Sequence, residues 1–437
     1  MEILCQTAPL LQSPPVWYVG GFEFQPMADV FLSNAANTDR PADKFMRNLW
    51  VHMTGPDRPG ILGRVLDGVS ELGLELTDVE QVAVGDLLIL LFAVEAPADI
   101  TEASEGLTYL ARELGLQAEL RNERRSKPDG DGMLLVVTVL GEPVPARAMA
   151  AVGNTLAGYS ANVRRIETLA RRRLHCIEIL AKVDNPDHKN QLARDLLSVG
   201  ARFDVDVSVQ EEGLGRRAKR LVVMDVDSTL ILAEQIDELA ELVGAGKQVS
   251  EITHRAMNGE LDFTGALKER VALLAGLPVE RLPEVRDRLP YNPGIRSLVT
   301  VLKEMGYKIA ILSGGFTYFV DQFKEELGLD YAYANELEFA DGKLTGRTIG
   351  PIVDGQRKKE LLKEIAEQEG VRLDQVIAIG DGANDLPMMG VAGLGIAFNA
   401  KPRVREMAPH NINRRGLDSI LFLLGIREEE IERLEAR

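Results

Sequence analysis

Residues Leu221-Val222-Val223-Met224-Asp225-Val226-Asp227-Ser228-Thr229 set a short apolar run directly before two carboxylates. Four apolar residues ending in a polar cluster read as a buried strand that stops where the chemistry begins. Asp225 and Asp227 stand two apart at the strand end, so both side chains face one side. One carboxylate can then attack phosphorus while the other manages a proton. Taken alone, the same residues read equally well as an acidic turn capping the next helix.

Further apolar runs lie downstream at 308–312, 376–379 and 393–397, separated by long helical stretches. Short buried strands alternating with helices predict an α/β fold with a parallel, doubly wound sheet. In such sheets ligands bind beyond the carboxyl ends of the strands. The second run leads into Ser313-Gly314-Gly315, where a hydroxyl and two glycines let backbone N–H groups approach a phosphate. By itself this is a plain strand-to-helix turn. The third leads into Gly380-Asp381-Gly382-Ala383-Asn384-Asp385, acidic residues bracketed by glycines that suit an oxygen-rich Mg²⁺ site. Between the two, Gly355-Gln356-Arg357-Lys358-Lys359 opens a helix with lysines able to offset phosphate charge. Each cluster is weak alone, but their order and their places at strand ends rarely coincide by chance.

The four clusters resemble the four motifs of the haloacid dehalogenase superfamily. An aspartate at the second position of the first motif, Asp227, implies a general acid and so a phosphatase or phosphotransferase. The insert between the first two motifs reads Glu251-Ile252-Thr253, then Ala256-Met257-Asn258-Gly259-Glu260-Leu261-Asp262-Phe263, then Leu267-Lys268-Glu269-Arg270-Val271. With Glu234 it is similar to the cap of the phosphoserine phosphatases, and the resemblance covers about 217–425. It implies a phosphatase domain over 217–427 with a helical cap at about 233–290. The implied reaction is Mg²⁺-dependent hydrolysis of O-phospho-L-serine through an aspartyl-phosphate, the last step of serine biosynthesis.

Residue by residue, the resemblance makes Asp225 the nucleophile and a metal ligand. Asp227 becomes the proton donor, then the base for water, with its backbone carbonyl on the metal. Ser313, Gly314, Lys358 and Asn384 would hold the phosphate, and Asp381 would complete the metal site. Asp385 would orient Lys358 or metal-bound water; Lys359 competes for the lysine role, but spacing to Glu360-Leu361-Leu362 favours Lys358. The substrate's chemistry agrees, since Glu234 can neutralise its ammonium and Arg270 can hold its carboxylate as a bidentate fork. Met257 and Phe263 would wall its short side chain. Without the flanking pattern, Glu234 and Arg270 read as surface helix residues.

Upstream, the order strand, helix, strand, strand, helix, strand occurs twice. The two units span 46–125 and 132–211 and predict tandem ferredoxin-like βαββαβ domains. The turn Gly55-Pro56-Asp57-Arg58-Pro59-Gly60 joins a strand to a helix, and it looks like the ligand loop of ACT domains, small amino-acid-binding modules. There Asp57 would receive an amino group, and N–H groups behind Gly60 would meet a carboxylate. The plainer reading is a turn in which Asp57 satisfies backbone donors. The second unit has Gly141-Glu142-Pro143-Val144-Pro145 at the equivalent place, which leaves its own ligand site doubtful and suits pairing. The resemblance implies a homodimer and an amino-acid effector, with L-serine the candidate.

Composition bounds the rest. The 437 residues carry 50 Lys+Arg against 67 Asp+Glu, a formal charge of −17 that argues against nucleic acid as a main partner. The basic clusters Arg121, Arg124, Arg125 and Arg216, Arg217, Lys219, Arg220 read as solvated linkers. Cys5 and Cys176 are the only cysteines, so no disulfide framework is expected. No apolar run reaches the roughly 20 residues of a membrane span, and the expected location is the cytoplasm. Residues 1–45 read as a poorly ordered extension, and the acidic run beginning at Glu428 as a solvated terminal helix. Competing readings keep the core but change the acceptor to homoserine, the substrate to a phosphoprotein, or the role to an inactive amino-acid sensor.

Overall fold

The computed structural model describes residues 47–97, 99–123, 132–257, 260–408, 410–413 and 415–436. The expectations for 1–45, Arg124 and Arg125 lie outside the described residues. The chain divides into two compact units, Met1–Pro128 and Asp129–Arg437.

In the first unit, β1 (Arg47–Pro56), β2 (Glu75–Val84), β3 (Leu87–Ala96) and β4 (Gln117–Glu123) form an antiparallel sheet in the order β2-β3-β1-β4. Leu49, Val51 and Met53 pair with Val94, Phe92 and Leu90, so one face of the central strands is apolar at period two. Helices Ile61–Glu71 and Thr101–Glu113 cover it with Ile61, Val65, Val69 and Leu107, at helical spacing. β2 is an edge strand exposed at every residue, Leu76, Val79, Val82 and Val84 included.

The second unit begins with the same plan: β5 (Met133–Gly141), β6 (Asn162–Ala170), β7 (His175–Val183) and β8 (Asp206–Glu211), in the order β6-β7-β5-β8. The last of these four strands starts only at Asp206. Phe203 closes the helix Lys189–Phe203, and Asp204, left-handed at φ 56°, turns the chain into β8.

The phosphatase-like half is a seven-stranded sheet of β9 (Leu221–Met224), β10 (Lys308–Phe316), β11 (Tyr331–Ala340), β12 (Lys343–Ile349), β13 (Val376–Gly380), β14 (Leu394–Phe398) and β15 (His410–Ile412). Its order, β12-β11-β10-β9-β13-β14-β15, puts β9 between two parallel neighbours, β10 and β13. β9, β13 and β14 are buried at every residue because apolar layers cover both faces. β11 and β12 had no counterpart in the sequence reading. They form an antiparallel hairpin turned at Asp341 and Gly342, both with positive φ, the Asp-Gly signal of a tight hairpin.

The second ferredoxin-like sheet is fused to this half, and there two sequence expectations fail. Arg216 and Lys219 are buried, not solvated. Arg216 pairs with Glu178 and Glu212, while Lys219 donates to the Asp374 carbonyl. His410 of β15 meets Ser208 of β8 at 2.9 Å, Asp206 accepts from the N and Nδ2 of Asn413, and burial pushes His410 down to about 4. The terminal helix Glu428–Glu435 is not wholly solvated either, since Glu428 and Ile431 are buried. The Glu428 carboxylate accepts the backbone N–H groups of Arg171, Arg172 and Arg173 at 2.9–3.1 Å.

Replacing Glu428 by Ala orphans those three donors and should cost about 2 kcal/mol. Burial pushes the Glu428 carboxyl up, but the three donors outweigh it and hold it below its usual range. A depressed carboxyl contributes stability that is complete at neutral pH and lost as pH falls through its folded value. Calorimetric midpoints of wild type and Glu428→Ala should therefore differ at neutral pH and converge in acid.

Candidate active site

β9, β10 and β13 all end at the same edge of the sheet, and each delivers one cluster there. Asp225 follows β9 directly, and its N–H bonds the Ile379 carbonyl of β13 at 2.9 Å. The next residues make one tight turn with Ser228 left-handed at φ 58°, and Asn292 pins it by donating to the Thr229 carbonyl at 2.6 Å. This turn parts the two carboxylates that the sequence placed side by side.

Asp225, 4% exposed, faces Lys358, which has no solvent exposure. The Lys358 ammonium lies 2.5 Å from Asp225 Oδ1 and 2.8 Å from Asp385 Oδ1. Its helix, Gly355–Gln368, is capped by Asp354, whose side chain accepts from Arg357 N. Lys358, rather than Lys359, therefore reaches the carboxylates. Asp385 has its other oxygen on Gly382 N at 3.0 Å, so both of its oxygens are engaged.

Carboxylate oxygens of Asp225, Asp381 and Asp385 lie within 4.8 Å of one another. Burial, and then the Asp385 charge, pushes Asp225 well above the usual carboxylate range, and Asp381 up to about 7. For Lys358, burial works against the charge, yet Asp225 and Asp385 outweigh it and hold the ammonium above its usual range. Three buried carboxylates around one lysine are a donor set of hard oxygens short of positive charge, which fits a divalent cation.

Asp227 points elsewhere. Its Oδ1 accepts from Gln235 N at 2.8 Å, and its Oδ2 from Gln235 Nε2 and Ser313 Oγ, each at 3.1 Å. Burial, with the Glu234 charge next, pushes it up to about 7. Ser313 is fully buried, and its Oγ also accepts from Gly315 N at 2.8 Å. A side chain on Gly314 would come within 2.9 Å of Phe263 Cζ, so glycine is what lets the cap's aromatic ring lie over this loop.

The cap helices Gln235–Leu242, Gly246–Met257 and Phe263–Ala272 help close a cavity of about 1010 Å³. Asp225, Asp227, Glu234, Phe263, Arg270, Gly314, Asp381 and Asn384 line it, while Ser313 and Lys358 lie fully buried behind that wall. Met257 ends its helix, and its side chain lies outside the described residues. Burial lowers Arg270, opposed by Asp237 and Glu234, so a cation sits beside two acids at the cap end of the cavity. Sequence reasoning missed Gln235, Asp237, Lys401 and Arg403. Asp237 lies three residues after Glu234, one helical turn along, a spacing that could have found it.

Asp57 and Gly60 belong to the other unit. Asp57 is exposed, and its N–H bonds the Asp86 carbonyl at 2.8 Å. Gly60, at φ 87°, is the N-cap of helix Ile61–Glu71, and among the described residues no side chain caps that helix. In the second ferredoxin-like domain, Pro145 takes the N-cap place after a cis Glu142–Pro143 bond.

Comparison with known proteins agrees with this architecture. Residues 222–390 match the family of haloacid dehalogenase-like hydrolases, and residues 47–121 and 135–210 each match an ACT domain family. A phosphoserine phosphatase of Streptomyces coelicolor is 44% identical over 388 residues, 88% of this chain and 93% of that one. One from Mycobacterium tuberculosis is 39% identical over 88% of this chain and 95% of its own. Among solved structures, a probable phosphoserine phosphatase of Vibrio cholerae, unliganded, is 33% identical with a TM-score of 0.53, covering 69% of this chain and 88% of that one.

Removing the ammonium while keeping its volume, Lys358→Met, strands Asp225 and Asp385 together and should cost about 3 kcal/mol or more. Urea unfolding should show the loss greatest above neutral pH. It should shrink in acid, where Asp225 carries a proton in folded and unfolded chains alike.

Proposed function

Because the chain belongs to the phosphoserine phosphatases of the haloacid dehalogenase superfamily, we propose that it cleaves O-phospho-L-serine through an aspartyl-phosphate on Asp225. The observation that carries this reading is the separation of Asp225, held by Lys358, from Asp227, held by Gln235 and Ser313. One carboxylate faces a cation and suits attack on an anion, while the other is held only by neutral donors and suits proton transfer.

In the first half-reaction an Asp225 oxygen bonds to phosphorus and the phosphorus–serine oxygen bond breaks. The departing electron pair stays on the serine oxygen, which takes the proton from Asp227. In the second, water attacks phosphorus and gives a proton to the Asp227 carboxylate. The Asp225–phosphorus bond then breaks, which releases inorganic phosphate and restores both groups. Lys358, Ser313, the Gly314 N–H and Asn384 hold the phosphate oxygens, and Lys358 offsets the repulsion between carboxylate and dianion. Glu234 takes the substrate ammonium and Arg270 its carboxylate, with Phe263 excluding water. Asp225, Asp381 and the Asp227 backbone carbonyl would hold Mg²⁺, whose charge lets a phosphate dianion approach the acidic cluster. Asp385, with both oxygens engaged, positions Lys358.

The ACT domains supply regulation in this reading. L-serine binds with its carboxylate on the uncapped N–H groups behind Gly60 and its ammonium on Asp57, and it inhibits. Pairing of two chains through these modules into a homodimer would cover the exposed apolar residues of β2. In this reading the enzyme stands at the end of serine biosynthesis and works in the cytoplasm. Among the described residues no helix is long and apolar enough to cross a membrane.

Phosphate release from O-phospho-L-serine should require Mg²⁺, stop with EDTA, and fall by about a thousandfold or more in Asp225→Asn. Turnover surviving that substitution would remove Asp225 as nucleophile. Millimolar L-serine should slow the wild type and leave Asp57→Ala unaffected, read as initial rates. Equal inhibition of both would move the effector elsewhere.

A further inference from the structure

Gln235 is the first residue of the cap's first helix and is 1% exposed. Burying a primary amide is costly unless its donors and acceptor are all met. Here its partners, Asp227, Ser313 and Phe316, all lie on the loops that line the site. Its backbone N–H and its Nε2 hold the two oxygens of Asp227, at 2.8 and 3.1 Å. Nε2 also reaches Ser313 Oγ at 3.3 Å, and Oε1 accepts from Phe316 N at 2.9 Å. The amide has one sensible orientation, because flipping it would set N–H₂ against the Phe316 N–H and oxygen against the Asp227 carboxylate. A Cβ on Gly315 would collide with this amide, so the loop's second glycine makes room for it.

We infer that Gln235 is a positioning residue that aims the Asp227 carboxyl and decides which of its oxygens carries the transferable proton. The inference rests on the reading of Asp227 as general acid. Oδ2 receives two donors, Gln235 Nε2 and Ser313 Oγ, which engage both of its lone pairs. Among the described residues Oδ1 receives only the Gln235 backbone N–H and keeps a lone pair for the proton. Losing the side-chain amide frees a lone pair on Oδ2, so the carboxyl can carry its proton on the wrong oxygen and swing about its own bonds. The backbone N–H remains in every variant, so the effect is partial.

The test compares kcat/KM on two phosphomonoesters for wild type, Gln235→Met, Gln235→Ala and Asp227→Asn. A serine alkoxide needs a proton to leave, whereas p-nitrophenolate leaves without one. Both Gln235 variants should lose about ten- to a hundredfold on O-phospho-L-serine and less than about threefold on p-nitrophenyl phosphate. A partly unfolded preparation lowers both values equally and cancels in their ratio, and agreement between Met and Ala separates the lost amide from lost volume. An unchanged ratio in the Gln235 variants, beside a shifted ratio in Asp227→Asn, overturns the role of Gln235 alone. An unchanged ratio in Asp227→Asn overturns the general-acid reading itself, and the Gln235 inference with it.

Discussion

An ammonium with no access to water lies between Asp225 and Asp385, and the cost of that arrangement shapes everything around it. A buried charge is tolerable only when it is paired and hydrogen-bonded, and a buried pair is worth little beyond what its neighbours give it. The neighbours here are further acids, so the cluster is short of positive charge by design of the sheet. β9 and β13 run parallel side by side and deliver Asp225 and Asp381 to the same point. Gly380 has no room for a side chain because the Asp385 carboxyl occupies that space. The apolar layers on the two faces of the sheet supply the stability that holds such a site together.

The same reasoning applies where the second ACT domain meets the phosphatase half. Its contact is buried and polar, built from Arg216 with Glu178, Asp206 with Asn413, and Glu428 with three backbone donors. Apolar packing joins it, since Leu140, Leu169, Ala170 and Cys176 share one core with Val222, Met224 and Leu421. A contact that satisfies this many directional groups resists sliding, and the second ACT domain is thereby one body with the catalytic half. The first ACT domain forms its own compact unit with its own core.

Much of this was legible in the chain. β-rich runs placed β1, β3, β5 and β7, and short apolar runs between long helical stretches placed β9, β10, β13 and β14. β11 and β12 escaped since an edge hairpin mixes buried and exposed residues, although Asp341-Gly342 marks its turn. Arg216, Lys219 and Glu428 look like solvent-facing charges in sequence. Charge type alone cannot reveal that a distant segment supplies the partner, as Glu428 does for backbone some 255 residues away.

The sequence by itself determined the repeated βαββαβ order, the doubly wound sheet, and which carboxylates, glycines and lysines stand at strand ends. These follow from local periodicity and spacing, which any stretch of chain carries within itself. Tertiary structure alone decided that Asp227 turns away from Asp225 to a glutamine and a serine. It also decided that one buried amide ties the cap to the loop at Ser313. Those facts depend on distances between segments far apart in the chain, set by how the layers pack, and no local pattern encodes them.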